Sequence, residues 1–407
     1  MLLRALSFAR RLLSDRDFRV LLLANLLVGV AYSFGIPFLS LFGTREVGLR
    51  PMAFCLFMTT TTLGSITFST LLARWSDARW SRRRVLLVSG SAGCLGYLGY
   101  AFVRDVAWLT LIGVFLLGIA SVTFSQLFAC ARDLFERRRI PASEIPLYMN
   151  VFRLFFALSW TVGPALAAWV MQAAGFRGLF LVASSFFALF VLLVFGFLPQ
   201  LPPTAAAREA VQAMPLTRAL RVPHLLRHFV AFVCYFACST MAMMNLPLLL
   251  LGPLHGTTRD VGIAYSIAPL FELPLMLLMG VLATRMPSRR LIQGVFVLAV
   301  AYYGLLSALR APWQVYPVQL LSAAIVAVTS GIAITFFQDF LPNQPGSATN
   351  LYSSAQRIGS TTGYLLLGVL TESVGTRGVF VACALGCCFA VAILFSSGVR
   401  LIRLRRA

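Results

Sequence analysis

Three ionisable side chains stand deep inside long apolar runs: Arg153 in NVFRLFF, Glu272 in LFELPL and Arg357 in SAQRIGS. A charge at such a place costs about 2.5–3.5 kcal/mol on membrane-insertion scales, so it marks a pathway for ions or polar solutes. Arginine stays ionised at any physiological pH, and each guanidinium therefore needs water, carbonyls or a carboxylate around it. Glu272 is the one deep carboxylate, chemically able to carry a proton or to accept from a ligand hydroxyl. Helical spacing puts further polar groups on the same faces. Asn150 and Trp160 go with Arg153, Tyr265 goes with Glu272, Asn350 and Tyr364 bracket Arg357, and Asn25 stands seven residues from Tyr32. Amide, aromatic and charged groups together suit a polyhydroxylated ligand such as a sugar, whose hydroxyls take paired hydrogen bonds while its ring face stacks on an aromatic. The competing reading is hydrogen bonding between helices with no ligand at all. Gln126 and Gln338 stand closer to the ends of their runs and suit a ligand less well.

These residues must be positioned by helices in lipid. The chain is 59% hydrophobic, against roughly 45–50% for soluble proteins, with a mean hydropathy of +0.86. About 20 apolar residues span a bilayer. Such runs fall near residues 18–41, 52–73, 85–103, 106–128, 146–171, 178–198, 229–251, 260–284, 291–309, 313–338, 348–370 and 378–399. The reading is an all-α membrane protein of 12 transmembrane helices. The segment 199–228 is the longest polar connection and divides it into residues 1–198 and 229–407, six runs each.

The net charge of +21 does not form a nucleic-acid-binding face, because it is dispersed over short connections. All 34 basic residues are arginines; 25 lie in the termini and connections of one side and seven on the other. Basic connections stay cytoplasmic, which predicts cytoplasmic N- and C-termini. The arginine-rich first 17 residues lead straight into a full-length run, so no cleavable signal peptide is expected. Cys234/Cys238 and Cys383/Cys387 have helical i,i+4 spacing, but no histidine or carboxylate stands beside either pair. They read as small packing residues rather than metal ligands. The sequence offers no nucleophile–base pair and no metal cluster, so neither an enzyme nor a cofactor is expected.

The chain repeats itself at half its length. TFSQLF at 123–128 echoes TFFQDF at 335–340, and LYMNVFRL at 147–154 echoes LYSSAQRI at 351–358, making Arg153 and Arg357 equivalents. Pro37 and Pro247 match at an offset of 210 residues, as do Leu72-Ala73 and Leu282-Ala283. Glu272 breaks the pattern, since Thr62 stands at its counterpart. Repetition of this kind implies two pseudo-symmetric six-helix halves.

The halves and short turns resemble the major facilitator superfamily. Its second-to-third loop motif is degenerate here, A-R-W-S-D-A-R-W-S-R-R-R, keeping Asp77 and the basic cluster Arg82–Arg84 but neither glycine. SLFGTREVGLRP (40–51), LARWSD (72–77), SWTVGPALA (159–167), FELP (271–274) and FQDFLPNQPGSATNLYSSAQRIG (337–359) are similar to the bacterial sugar efflux transporter family. The resemblance implies the major facilitator fold in the bacterial cytoplasmic (inner) membrane. It further implies a monomer that exports small sugars or glycosides with the proton as coupling ion. In that arrangement the fifth and eighth spans line one cavity, and Asp77, Arg82 and Arg83 serve the cytoplasmic gate. Gly163-Pro164 also resembles part of the antiporter signature of drug exporters, which keeps multidrug/proton antiport as the alternative. Two buried arginines would repel the apolar cations such exporters favour.

Overall fold

Among the described residues the chain is helical, without strands. The structure is a computed structural model that describes residues 15–141, 144–199, 223–341 and 345–404. Helix α1 starts at Arg16–Gly35 and continues through changes of winding to Glu46, α2 is Pro51–Arg79, α3 Arg82–Phe102, α4 Val106–Arg137 and α5 Ile145–Phe197. Then come α6 Pro223–Leu251, α7 Thr258–Arg285, α8 Ser288–Ala308, α9 Val315–Phe340 and α10 Pro345–Leu404. Ten helices among the described residues are long and apolar enough to cross a membrane. Most are apolar all round rather than striped, as lipid-solvated helices are, while the end of α4 over Val122–Arg137 carries a polar face. Trp169, Phe195 and Leu385, each about two-thirds exposed, need that solvent.

Two of the spans run for 47 and 50 residues, more than one crossing can use. Each breaks at a glycine, Gly175 (φ 63°, ψ −165°) or Gly375 (φ 70°, ψ 177°), so each is two helices joined end to end. Each is long enough to supply two of the crossings expected from sequence. This backbone region is open essentially to glycine alone and costs other residues about 1–3 kcal/mol. Gly375→Ala is therefore expected to lower the thermal unfolding midpoint in detergent, whereas Gly280→Ala, with nothing within 4 Å of the added Cβ, should not. Equal effects would dismiss the backbone explanation.

The described chain forms two compact units, Met1–Phe38 with Thr60–Glu209, and Leu39–Thr59 with Ala210–Ala407. In the first, α1 packs on α5 through small residues. A Cβ on Gly29 would meet Ser159 Oγ at 2.0 Å, and one on Gly163 would meet Ser33 Oγ at 1.8 Å. In the second, α6 and α10 repeat the device, with Gly359 and Gly363 so close that a Cβ would reach the Val233 and Ala237 carbonyl oxygens at 2.7 and 2.6 Å. Lipid supplies no hydrophobic drive between helices, so close backbone approach and hydrogen bonds hold them together. Side-chain donors to backbone carbonyls repeat too. Arg83 donates to the Val194 and Phe195 carbonyls near the end of α5, while Arg289 and Gln293 reach the Leu394 carbonyl on α10 at 3.4 and 3.3 Å. Of these carbonyls, Phe195 lies in the last turn of α5, where no intrahelical donor follows.

Chain order alone assigns residues 39–59 to the first half, but they pack within the second unit. Arg45 donates to the Leu251 carbonyl at the end of α6 (2.7 Å), and the Met52 N–H at the start of α2 donates to Glu372 Oε1 on α10 (3.1 Å). A cation thus meets a helix C-terminus and an anion a helix N-terminus, both favourable to the peptide dipoles. The expected 199–228 connection lies outside the described residues over 200–222.

Candidate functional site

The polar candidates separate by what their side-chain atoms already bind. Asn25 is fully buried and donates from Nδ2 to the Phe152 carbonyl at 2.6 Å. That bond clamps α1 to the turn of α5 just before Arg153. Tyr32 donates to the Ala120 carbonyl at 2.7 Å, and Tyr265 donates to the Met243 carbonyl, tying α7 to α6. The two tyrosine hydroxyls are spent on neighbouring backbone, whereas the buried Asn25 Oδ1 has no hydrogen-bond partner.

The other candidates lie on α5, α7 and α10. Arg153 is half-buried and Arg357 exposed, and neither has an ion-pair partner among the described residues. Trp160, two turns beyond Arg153, has a buried indole N–H with no acceptor there either. On α10, Asn350 is exposed and Tyr364 half-buried, on either side of Arg357. Glu272 is half-buried on α7 between Pro269 and Pro274. Each proline lacks an N–H, so the carbonyls one turn earlier, at Tyr265 and Leu270, lose their helical donors. The stretch around Glu272 is thereby more polar than its composition implies. The side chains of Asn150 and Asp77 lie outside the described residues.

Two of the residues expected at a gate, Arg82 and Arg83, make defined contacts. Arg82 is buried and donates from Nε to Asp133 Oδ2 at 3.2 Å and from Nη1 to Gln126 Oε1 at 2.9 Å, joining α3 to α4. Arg83 caps the end of α5 and lies over the Phe195 ring at 5.6 Å. Asp133 escaped the sequence reading because it sits in ACARDLFERRR, a stretch counted only for its arginines. An acidic residue among Arg132 and Arg137–Arg139, beside Glu136, was the available signal. Gln338 Nε2 reaches Thr349 Oγ1 at 3.4 Å, an α9–α10 tie. The Cys383 thiol lies against the Cys238 carbonyl at 3.5 Å, a packing contact of α10 on α6. Among the described residues no cluster of three or more histidine, cysteine, aspartate or glutamate side chains could hold a metal ion.

The sequence matches the family model of the Major Facilitator Superfamily over residues 21–363, with a second match over 229–401. A Deinococcus radiodurans relative named for sugar efflux is 35% identical over 368 residues, covering 89% of this chain and 93% of its own. Sugar efflux transporter A of Dickeya chrysanthemi is 32% identical over 397 residues, 98% of each chain. The crystal structure of a mutant form of the nucleoside transporter NupG superposes with a TM-score of 0.77 at 14% identity, over 94% of this chain and 100% of that one. That likeness speaks for the fold alone. Sequence along nearly the whole chain and helical architecture agree: this multi-pass membrane protein belongs to the Major Facilitator Superfamily, in its sugar efflux transporter family.

Proposed function

We propose that the protein exports small sugars or glycosides across the bacterial cytoplasmic membrane in exchange for protons. It works as a monomer by alternating access, with both termini in the cytoplasm. The observation that carries this reading is the state of Arg153 and Arg357. Both stand within apolar spans at equivalent places of the repeat, with no ion-pair partner among the described residues. A guanidinium kept there without a counter-charge has its fork of donors available for vicinal hydroxyls. Trp160 offers an aromatic face and an unspent N–H, and Asn350 and Tyr364 add polar contacts. Glu272, alone in its half of the repeat, carries the proton or holds a hydroxyl. Asn25, Tyr32 and Tyr265 position these groups by tying down the helices.

Everted membrane vesicles test both parts of the proposal. Labelled sugars should accumulate inside when the lumen is acidified and stop doing so with a protonophore. Glu272→Gln should retain exchange of labelled for unlabelled sugar but lose gradient-driven accumulation. Undiminished accumulation in that variant would remove Glu272 from coupling. Accumulation of dye cations without sugars would instead establish the multidrug reading.

A further inference from the structure

We propose that the first unit carries a binding site for an anionic diacyl phospholipid, formed by the start of α1 and the end of α5. Arg16, Arg19, Val20 and Leu23 follow one another along one face of α1. With Leu193 and Phe197 of α5 they line a recess of about 270 Å³. Its two ends differ chemically. At one end are the guanidiniums, with Arg16 over the Phe197 ring at 5.7 Å. The rest of the wall is aliphatic, with Leu23 45% exposed, and the Phe197 ring beside Arg16 is itself 52% exposed.

The two cations are not neutralised by their own neighbours. Asp15 and Asp17 flank Arg16 in sequence, yet both carboxylates are taken by Arg138 at 2.9 Å. Arg16 and Arg19 have no ion-pair partner among the described residues. The recess therefore has a net positive rim above an apolar wall. It also opens where the apolar run of α1 begins, on the arginine-rich side of the chain, which is headgroup depth. Basic recesses between transmembrane helices at that depth take anionic headgroups. A free phosphate would satisfy the arginines and leave the exposed Leu23 and Phe197 uncovered. A neutral lipid would cover the wall and leave both charges unanswered. One phosphodiester anion bearing acyl chains answers both.

Native mass spectrometry of the full chain, titrated with phosphatidylglycerol, tests the site. Wild-type protein should retain phosphatidylglycerol in preference to phosphatidylethanolamine, and Arg16→Gln with Arg19→Gln should weaken retention about thirtyfold. The Lys pair should keep most of it, and Arg310→Gln, exposed near the start of α9, should change nothing. Leu23→Trp fills the recess without touching charge and should also displace the lipid, which decides the matter if the glutamine pair does not fold. Equal retention of the two lipids, retention unaffected by the substitutions, or displacement by millimolar glycerol phosphate would each overturn the proposal.

Discussion

Asp133→Ala is expected to destabilise the protein by about 3–5 kcal/mol, the usual consequence of stripping one partner from a buried ion pair. The Arg82 and Asp133 side chains are each only 6% exposed. Removal of the carboxylate leaves a guanidinium that can neither deprotonate nor reach water. Thermal unfolding in detergent should show the loss. The double variant Arg82→Met, Asp133→Leu should recover most of it, since well-packed apolar residues replace buried pairs at little cost. Transport by that double variant then separates two roles. Export at the wild-type rate would reduce the pair to a clamp between α3 and α4. Lost export in a stable protein would support the part in gating expected of Arg82.

The second large effect concerns ligand contact. Arg357→Ala should lower sugar export about 10- to 100-fold, the worth of one or two charge-assisted hydrogen bonds, with the unfolding midpoint unchanged. The guanidinium is exposed and makes no ion pair among the described residues, so its loss leaves no buried partner stranded. Arg357→Lys should restore only part of the activity, because an ammonium lacks the planar fork. Arg153→Ala should reduce export comparably. Wild-type export by Arg357→Ala would end the idea that Arg357 contacts the ligand.

Much of this molecule was legible in its residues. Composition, twelve apolar runs and the half-length repeat sufficed for an all-helical membrane protein in two halves, and a resemblance pointed to the Major Facilitator Superfamily. The specific stretches around residues 40–51 and 337–359 sufficed for the sugar efflux family. Helical spacing collected the polar candidates onto faces. It could not say which of them were already engaged. Asn25 and Trp160 looked alike as polar groups within spans, yet one amide donates to the Phe152 carbonyl while the other side chain keeps its N–H unspent. The G-x-x-x-G formed by Gly359 and Gly363 was present in the sequence but acquired meaning only beside the Val233 and Ala237 carbonyls.

By itself, then, the sequence determined the solvent and the repeat, because hydropathy and internal similarity are properties of the chain. The tertiary structure alone decided that residues 39–59 pack with the second unit, that Arg82 is matched by Asp133, and that Asn25, Tyr32 and Tyr265 are ties. The reason is physical. In lipid the outward and inward faces of a helix are equally apolar, so burial leaves little pattern in the sequence. Hydrogen bonds and ion pairs, in contrast, depend on a donor and an acceptor from neighbouring helices coming within about 3 Å. Spacing along one helix does not contain that distance.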